Sequence, residues 1–371
     1  MKKTRVLSVC ILFVLIMVAC TPQMTGDQLE ESQESLNNSI ATEIPNFNGT
    51  SEEANLKTAE FSLGKTDEWS FGSREKQVFI CDDGYYLHLL KQRGDSSYLS
   101  FAFVNTVGEL SEPLAITLDF RGQFLSGNTI YGNAISWEDG NMRDLGVCKY
   151  ENGALIGLSV PADNNVNYYR KTYYTEEYIY FSVFNESIIY RMDYTGNHLV
   201  PIVRLSEQEI EIYDFAVYNN MVWYEYIDRN KSDWGEKYFA SYDLATEKQQ
   251  VYDNGGIGLI NNNFMYYLDS ESRICKFNFD TKHTELVCDD EVVTFDFFTD
   301  SILYTTKDTL YKFSVDGCER ILSIDQLDDV NYFSAIQCQN DRIFVSANSG
   351  AYHSCLYEID ISGNIINAFE G

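Results

Sequence analysis

The sequence predicts an all-β protein, and two observations support this prediction. The chain has 371 residues, of which 27 are Tyr and 23 are Phe, and aromatic side chains favour the half-buried surface of a β-sheet over the interior of a helix. From residue 60 onward, short aromatic and aliphatic runs follow polar turns at intervals of roughly 40 residues, and such a period indicates a repeated structural unit. The hydrophobic fraction of 44% is normal for a globular protein and excludes disorder for most of the chain.

Seven such runs can be aligned, and each is predicted to be one strand of a unit. They begin at Asp82, Ser126, Thr175, Tyr218, Asn261, Phe298 and Gln339. A second alternating segment follows each run and ends in a tight turn, as at Asp316-Gly317, which is typical of a β-hairpin. A further strand precedes several of the runs, for example EIYDFAVY from Glu211.

Four antiparallel strands in about 40 residues form one blade of a β-propeller. The sequence therefore predicts a β-propeller of four-stranded blades over residues 59–371, with seven blades. Six or eight blades are alternatives, because residues 60–63 could supply a closing strand and the spacing between residues 126 and 176 is long. A solenoid or a pair of β-sandwiches is the other alternative.

Units three, five, six and seven resemble the YWTD repeat of low-density-lipoprotein-receptor-type propellers. The resemblance lies in FMYYLD from Phe264 and ILYTT from Ile302, and the segments that begin at Ile188 and Leu310 are similar to the second and third strands of that repeat. The region from about residue 75 to residue 371 looks like the propeller domain of unknown function that some bacterial lipoproteins carry. The resemblance implies a fold alone, since propellers host many unrelated functions.

Residues 1–19 are predicted to be a signal peptide. Lys2, Lys3 and Arg5 precede an apolar run over residues 6–18, which is too short for a membrane-spanning helix, since a span needs about 20 residues. Residues 17–20, Met-Val-Ala-Cys, resemble the bacterial lipobox, and this resemblance implies cleavage before Cys20 and acylation of its thiol. A plain secretory signal with an incidental cysteine is the alternative.

Residues 20–58 are predicted to be a lipidated flexible linker. This stretch is rich in Ser, Thr, Asn, Gln and Glu, and so polar a segment buries too little apolar surface to offset the entropy of ordering it. Two or more acyl chains hold a protein stably on a bilayer. The predicted location is therefore the bacterial cell membrane, with the propeller lipid-anchored on the extracytoplasmic side.

The charge balance limits the partners. Lys and Arg number 27 against 56 Asp and Glu, for a net charge of −29. Nucleic acid is a poor partner, because its affinity for proteins comes mainly from clustered basic side chains. Anionic lipid headgroups would also repel the protein. The sequence predicts a monomeric module that binds a protein or glycan partner.

Motifs of known catalytic chemistry are absent from the sequence. None of His88, His198, His283 and His353 lies at a metal-ligand spacing from another histidine or from a cysteine pair. The G-x-S-x-G, Walker and H-E-x-x-H patterns are also missing. No catalytic residue, metal site or cofactor is predicted. The alternative is an exported carbohydrate-active enzyme with carboxylates in the central channel, because 56 acidic residues leave many candidate pairs.

Seven cysteines remain when Cys10 leaves with the signal peptide and Cys20 takes the lipid. Most of the seven lie inside apolar strand patterns, where a free thiol behaves as a small buried hydrophobe. Cys275 and Cys288 are expected on adjacent strands of unit five and are the candidates for a disulfide.

The candidate partner-binding residues lie in four connections between the second and third strands, which are predicted to be long loops. The four cover residues 91–97, 136–144, 228–236 and 348–354, and the candidate residues in them are Trp137, Asp139, Trp234, Tyr352 and His353. Aromatic groups combine a large contact area with a polar handle, which suits a protein or glycan partner. The alternative is that the Trp side chains pack back on their own blades.

Overall fold

The computed structural model describes residues 69–70, 77–93, 96–111, 119–138, 141–151, 154–159, 171–183, 187–205, 210–231, 236–349 and 354–370. They form seven antiparallel sheets, arranged in a ring as the blades of a β-propeller. The predicted fold class and the predicted seven blades are confirmed. The predicted signal peptide, the predicted lipidation site Cys20 and the predicted linker lie outside the described residues.

The strands are numbered in chain order. Blade one contains β1 (Trp69–Ser70), β2 (Val78–Cys81), β3 (Gly84–Arg93) and β4 (Ser96–Asn105). Blade two contains β5 (Asp119–Ser126), β6 (Thr129–Glu138), β7 (Asn141–Glu151) and β8 (Ala154–Ser159). Blade three contains β9 (Thr172–Tyr174), β10 (Tyr178–Ser182), β11 (Ile188–Asp193) and β12 (Val200–Arg204). Blade four contains β13 (Ile210–Tyr218), β14 (Met221–Asp228), β15 (Glu236–Asp243) and β16 (Lys248–Tyr252).

The remaining blades follow the same pattern. Blade five contains β17 (Leu259–Asn261), β18 (Phe264–Leu268), β19 (Ile274–Asn278) and β20 (Thr284–Cys288). Blade six contains β21 (Thr294–Phe298), β22 (Ser301–Thr305), β23 (Thr309–Ser314) and β24 (Gly317–Ser323). Blade seven contains β25 (Tyr332–Gln339), β26 (Arg342–Asn348), β27 (Ser354–Ile359) and β28 (Ile365–Glu370), and a 3-10 helix, Ile324–Gln326, precedes it.

In blades two to seven each strand pairs with the next strand along the chain. Blade one differs, because β1 and β2 both pair with β3 while β4 pairs with β3 along its full length. A single bridge between Val104 and Leu110 stands on the outer side of β4. Every described strand of blades two to seven therefore pairs within its own run of the chain.

Tight turns between first and second strands explain the polar residues that precede the predicted runs. Asn219 and Asn220 join β13 to β14, and Asn340 and Asp341 join β25 to β26, all with φ between 49° and 61°. Two successive residues with positive φ form the hairpin turn that matches the twist of β-strands, and Asn and Asp tolerate this conformation better than other non-glycine residues.

The core is divided among the contacts between blades. Seven clusters of buried apolar side chains are described, and each joins two neighbouring blades. One of them packs Val78, Tyr85 and Leu87 of blade one against Phe344 and Phe369 of blade seven. This seam between the last blade and the first closes the ring.

Polar contacts reinforce the seam at its inner edge. The Gln337 side chain in β25 accepts hydrogen bonds from the backbone N–H groups of Gln77 and Val78 at 3.2 and 3.1 Å, and it donates one to the Val78 carbonyl. These backbone groups belong to the innermost strand region of blade one. An amide side chain of blade seven thus makes the hydrogen bonds that another strand would make at a sheet edge.

A buried acid lies farther out in the same seam. Glu358 in β27 is only 3% exposed. It accepts hydrogen bonds from the Tyr85 hydroxyl of blade one at 3.3 Å and from the Asn367 amide at 2.6 Å, and Arg342 lies 3.3 Å away. Since a buried charge needs partners, these contacts tie the position of blade one to that of blade seven.

Removing the Glu358 carboxylate is expected to destabilise the ring. In Glu358→Ala the Tyr85 hydroxyl and Arg342 lose their shared acceptor, which should lower the free energy of unfolding by roughly 1–3 kcal/mol. Urea unfolding followed by tryptophan fluorescence measures the change. The control is Glu285→Ala, which removes an exposed carboxylate paired with Lys276 at 3.0 Å and should cost below about 1 kcal/mol. Equal losses in the two variants would contradict a role for Glu358 in closure.

Candidate ligand-binding face and pocket

One face of the propeller carries the predicted loops. Successive strands of a blade run in opposite directions, so the connection between the second and third strands lies on the same face as the link to the next blade. We call this face the hairpin face. The opposite face carries the turns between first and second strands and between third and fourth strands.

Two of the four predicted long loops are β-structure instead. Pairing between β3 and β4 continues to Arg93 and Ser96, and pairing between β6 and β7 continues to Glu138 and Asn141. Each pair of strands is thus joined by two residues, and the prediction of long loops over 91–97 and 136–144 was wrong. The reason is that the two strands of each hairpin are extended by equal lengths, so both keep their ladder of hydrogen bonds.

The two extended hairpins belong to neighbouring blades. The strands β3, β4 and β6 have 10 residues each and β7 has 11, whereas β18 and β19 of blade five have 5. At about 3.3 Å per residue, five further residues extend a strand by roughly 16 Å. Blades one and two therefore project on the hairpin face relative to blade five.

The predicted partner-binding residues are placed only in part. The backbone of Trp137 lies in β6, where it pairs with Met142 near the tip of the blade-two hairpin. Asp139, Trp234, Tyr352 and His353 lie outside the described residues. The strands that flank the last three end in the pairs Asp228 with Glu236 and Asn348 with Ser354.

The structure does not bring together the two cysteines predicted to form a disulfide. Both thiols are free. Cys275 packs in the cluster between blades four and five, while Cys288 packs in the cluster between blades five and six. In the register of β19 and β20, Cys288 is opposite Ile274 rather than Cys275.

A pocket of about 330 Å³ lies on the outer part of blade four, beside the link to blade five. Its lining includes Glu225, Lys237, Phe239, Tyr252, Asp253 and Gly255. The strand register brings the side chains together, since Glu225 pairs with Phe239 and Phe239 pairs with Tyr252. The row continues inward to Asp214, which pairs with Glu225 from β13.

Glu225 is the buried acid of this pocket. The residue is 7% exposed, and its carboxylate lies 2.6 Å from the Lys237 ammonium. Burial raises the pKa of Glu225 above its ordinary value and the Asp214 carboxylate adds to this rise, while Lys237 and a backbone hydrogen bond at Ile257 oppose it. The pocket thus holds a carboxylate that depends on a nearby cation to remain charged.

The link between blades four and five lies directly on aromatic rings. At Gly255, where φ is +147°, a Cβ atom would lie 2.1 Å from a ring carbon of Phe239, and at Gly256 it would lie 2.4 Å from Tyr267. Only glycine permits so close an approach of the backbone. Gly255 therefore shapes the wall of the pocket.

Sequence reasoning missed Glu225 and Lys237, although a signal for Glu225 was present. Alternation along β14 places Trp223 and Glu225 on the same side of the strand, and Trp223 is 1% exposed. A charged residue on a buried side needs an explanation. Recognising its partner required the register between β14 and β15.

The inner-strand carboxylates Asp214 and Asp296 both join blades. Asp296 in β21 accepts hydrogen bonds from the backbone N–H of Phe297 and from that of Cys338 in blade seven, each at 2.7 Å. Asp214 accepts from the Phe215 N–H at 2.8 Å and from Lys171 at 3.0 Å. These contacts give both carboxylates a role in holding neighbouring blades together.

In the described part of the chain, no group of three or more His, Cys, Asp or Glu side chains could hold a metal ion. Among the same residues, no helix has the length and apolar character that crossing a bilayer requires.

Similarity to a solved structure supports the fold. The chain is similar to a structure from a study of two prolyl endopeptidases, with a TM-score of 0.58 and 8% identity over 82% of this chain. It spans about half of that enzyme, 49% of its length. It is also similar to a chain in the nidogen/laminin complex, with a TM-score of 0.39 and 10% identity over 64% of this chain and 89% of the other.

The sequence itself gives no match. No protein-family model matches it, and no curated protein does so either. The fold and site together therefore define the chain as a seven-bladed β-propeller with a pocket beside the link between blades four and five.

The seven cysteines lead to a direct test. If they form no disulfide, as in the structure, alkylation of the denatured protein without reductant should label all seven: Cys81, Cys148, Cys275, Cys288, Cys318, Cys338 and Cys355. Mass spectrometry counts the labels. In the native protein the exposed Cys318 should react before the buried Cys148 and Cys355. A count of five would instead indicate a disulfide, and peptide mapping would identify the pair.

Proposed function

We propose that this protein is an envelope lipoprotein whose propeller binds a protein or glycan partner outside the cytoplasm. The observation that carries the proposal is the pair of extended hairpins on blades one and two. Both rise on the hairpin face, and their strands are about twice as long as those of blade five. Projecting hairpins on a rigid ring present a fixed surface, and binding residues are commonly held on a rigid scaffold in this way.

The charge of the whole protein favours a basic partner over an acidic one. With a net charge of −29, the protein attracts a basic partner at long range, and this attraction weakens as salt increases. Trp137 near the tip of the blade-two hairpin is the aromatic residue that we assign to the contact. The roles of Asp139, Trp234, Tyr352 and His353 in the same surface remain part of this proposal.

The proposed attachment to the membrane is through an acylated Cys20. We infer it from the positive, apolar and lipobox segments of residues 1–20. After cleavage, the linker over residues 20–58 would place the propeller away from the headgroups, since a flexible chain of about 38 residues spans on the order of 35 Å.

Acylation is tested by metabolic labelling. Wild-type protein produced in a bacterium fed radioactive palmitate should carry label, and Cys20→Ser should carry none, because serine has no thiol to acylate. The matched control is Cys10→Ser, which changes a cysteine within the predicted signal peptide and should leave the label intact. Label on Cys20→Ser would contradict the proposed anchor.

The binding role is tested by shortening both hairpins. Deleting residues 92–97 and joining Lys91 to Tyr98 through Asn-Gly keeps the register of the remaining pairs, including both pairs of β1 with β3, and a corresponding deletion shortens the hairpin of β6 and β7. We expect the double variant to fold with an unchanged far-UV circular dichroism spectrum. It should no longer capture protein partners from envelope extracts or bind to glycan arrays. A variant of the opposite face, Asp316→Ala in the turn between β23 and β24, serves as control. Unchanged capture by the shortened protein would exclude the hairpins as the binding surface.

A further inference from the structure

The blade-four pocket has the form of a small ligand site with a fixed anion inside it. Its volume of about 330 Å³ falls at the lower end of the range for ligand pockets, roughly 300–1,000 Å³. The buried Glu225 carboxylate faces it from β14, and Asp253 adds a second carboxylate at the start of the link to blade five. Such a site favours a cation.

Lys237, the cation that neutralises Glu225, is held only loosely beside it. The Lys237 side chain is 53% exposed, against 9% for that of Glu225. Holding a lysine in one conformation costs up to about 2 kcal/mol of side-chain entropy. The ammonium also lies 5.0 Å from the centre of the Tyr213 ring, where a cation is attracted to the aromatic face. The Tyr213 ring therefore offers the Lys237 ammonium an alternative contact when another cation binds Glu225.

The walls of the pocket suit the flat or alkyl parts of a basic side chain. Phe239 and Tyr252 contribute aromatic surface, and Val251 contributes an apolar side chain that is 49% exposed. Guanidinium and ammonium groups both stack on or lie over aromatic rings, and a guanidinium can also bind a carboxylate through two parallel hydrogen bonds.

The pocket opens near the hairpin face. Lys237 follows Glu236, which forms the last pair of β14 and β15 on that face, and Asp253 and Gly255 begin the link to blade five, which lies on the same face. A partner bound to the hairpin face is thus positioned to insert a side chain there.

From these observations we propose that the pocket binds a lysine or arginine side chain of a protein partner, which replaces Lys237 as the counter-ion of Glu225. The inference rests on the proposed binding function, and it specifies that the partner is a protein with an exposed basic side chain. Asp253 provides a second negative group for the incoming cation, and the Lys237 ammonium moves toward Tyr213.

The test uses the full chain and three short peptides, Ac-Gly-Arg-Gly-NH₂ and its lysine and citrulline counterparts. Isothermal titration calorimetry should show saturable binding of the arginine and lysine peptides. The citrulline peptide, which is neutral and nearly the same shape as the arginine peptide, should bind at least about tenfold more weakly, since a carboxylate gains about twice as much from a charged donor as from a neutral one.

Two substitutions should change the affinity in opposite directions. Glu225→Gln removes the anion and should weaken the arginine peptide at least about tenfold, while Lys237→Met removes the competing cation and should strengthen it several-fold. Glutamine is tolerated at this position because burial already favours an uncharged side chain there, and a thermal melt verifies folding. The control is Glu285→Gln with Lys276→Met, which changes a 3.0 Å lysine–glutamate ion pair on blade five and should leave binding unchanged.

Three outcomes would overturn the inference: equal binding of the citrulline peptide, unchanged binding by Glu225→Gln, or weaker binding by Lys237→Met. The outcomes also separate this inference from the proposed function. If partner capture is lost on hairpin shortening but retained in Glu225→Gln, the proposed role of the pocket is rejected and the proposed binding function is kept. If the wild-type protein binds the charged peptides but captures no partner, the pocket is supported and the proposed binding function is rejected.

Discussion

The structure depends on the contact between its first and last blades. A four-stranded sheet has two apolar faces, and in a propeller each face is buried by a neighbouring blade, so blade one and blade seven need one another. The strands of blade seven are all consecutive in the chain, from β25 to β28. Closure of the ring therefore rests on side chains: the apolar cluster around Tyr85 and Phe344, the Gln337 amide and the buried Glu358.

This kind of closure links the stability of the ring to its proposed binding surface. The extended hairpin of blade one belongs to a sheet that forms one side of the seam, and the loop between β26 and β27 belongs to the other side. A partner that contacts both blades binds only the closed ring, and a ligand that binds only the folded form stabilises it by mass action. The long hairpin of blade one is thus placed where such a partner would strengthen the contact on which the fold depends.

The repeat could be predicted from the sequence because each blade repeats the same chemistry. Aromatic runs such as that of β18 and polar turns such as Asn219-Asn220 occur at corresponding positions in the repeats, so the pattern predicts both the strand and its boundary. The extended hairpins could not be distinguished from loops. Lys91, Gln92 and Arg93 are polar and indicate a loop when considered alone, and their pairing depends on a partner strand of equal length. A pairing of this kind is a property of two segments, which periodicity in one segment does not report.

The pocket illustrates a different limit. The alternation of β14 predicts that Glu225 is buried, but its counter-ion depends on the register that places Lys237 beside it, and its walls depend on how closely the glycine link approaches Phe239. Neither quantity is encoded in the spacing of residues along one strand. The sequence therefore indicates an unusual residue without indicating the site that contains it.

Some of the acidic residues stabilise turns. In the turns after the third strands of blades three, four and seven, Asp193, Asp243 and Asp360 each accept hydrogen bonds from two backbone N–H groups. Burial alone would raise the pKa of Asp193, but hydrogen bonds from Thr195 and His198 lower it to about 2.

A carboxylate with a lowered pKa stabilises the fold at neutral pH and loses this contribution as pH falls through its folded value, which for Asp193 means between about 4 and about 2. Such acids serve the turns, so an acidic composition does not by itself mark a binding site. Glu225 differs in the direction of its shift. Its pKa is raised by burial, so the charge of Glu225 does not stabilise the fold as the charges of the turn aspartates do. A basic ligand is the group that would benefit from that charge.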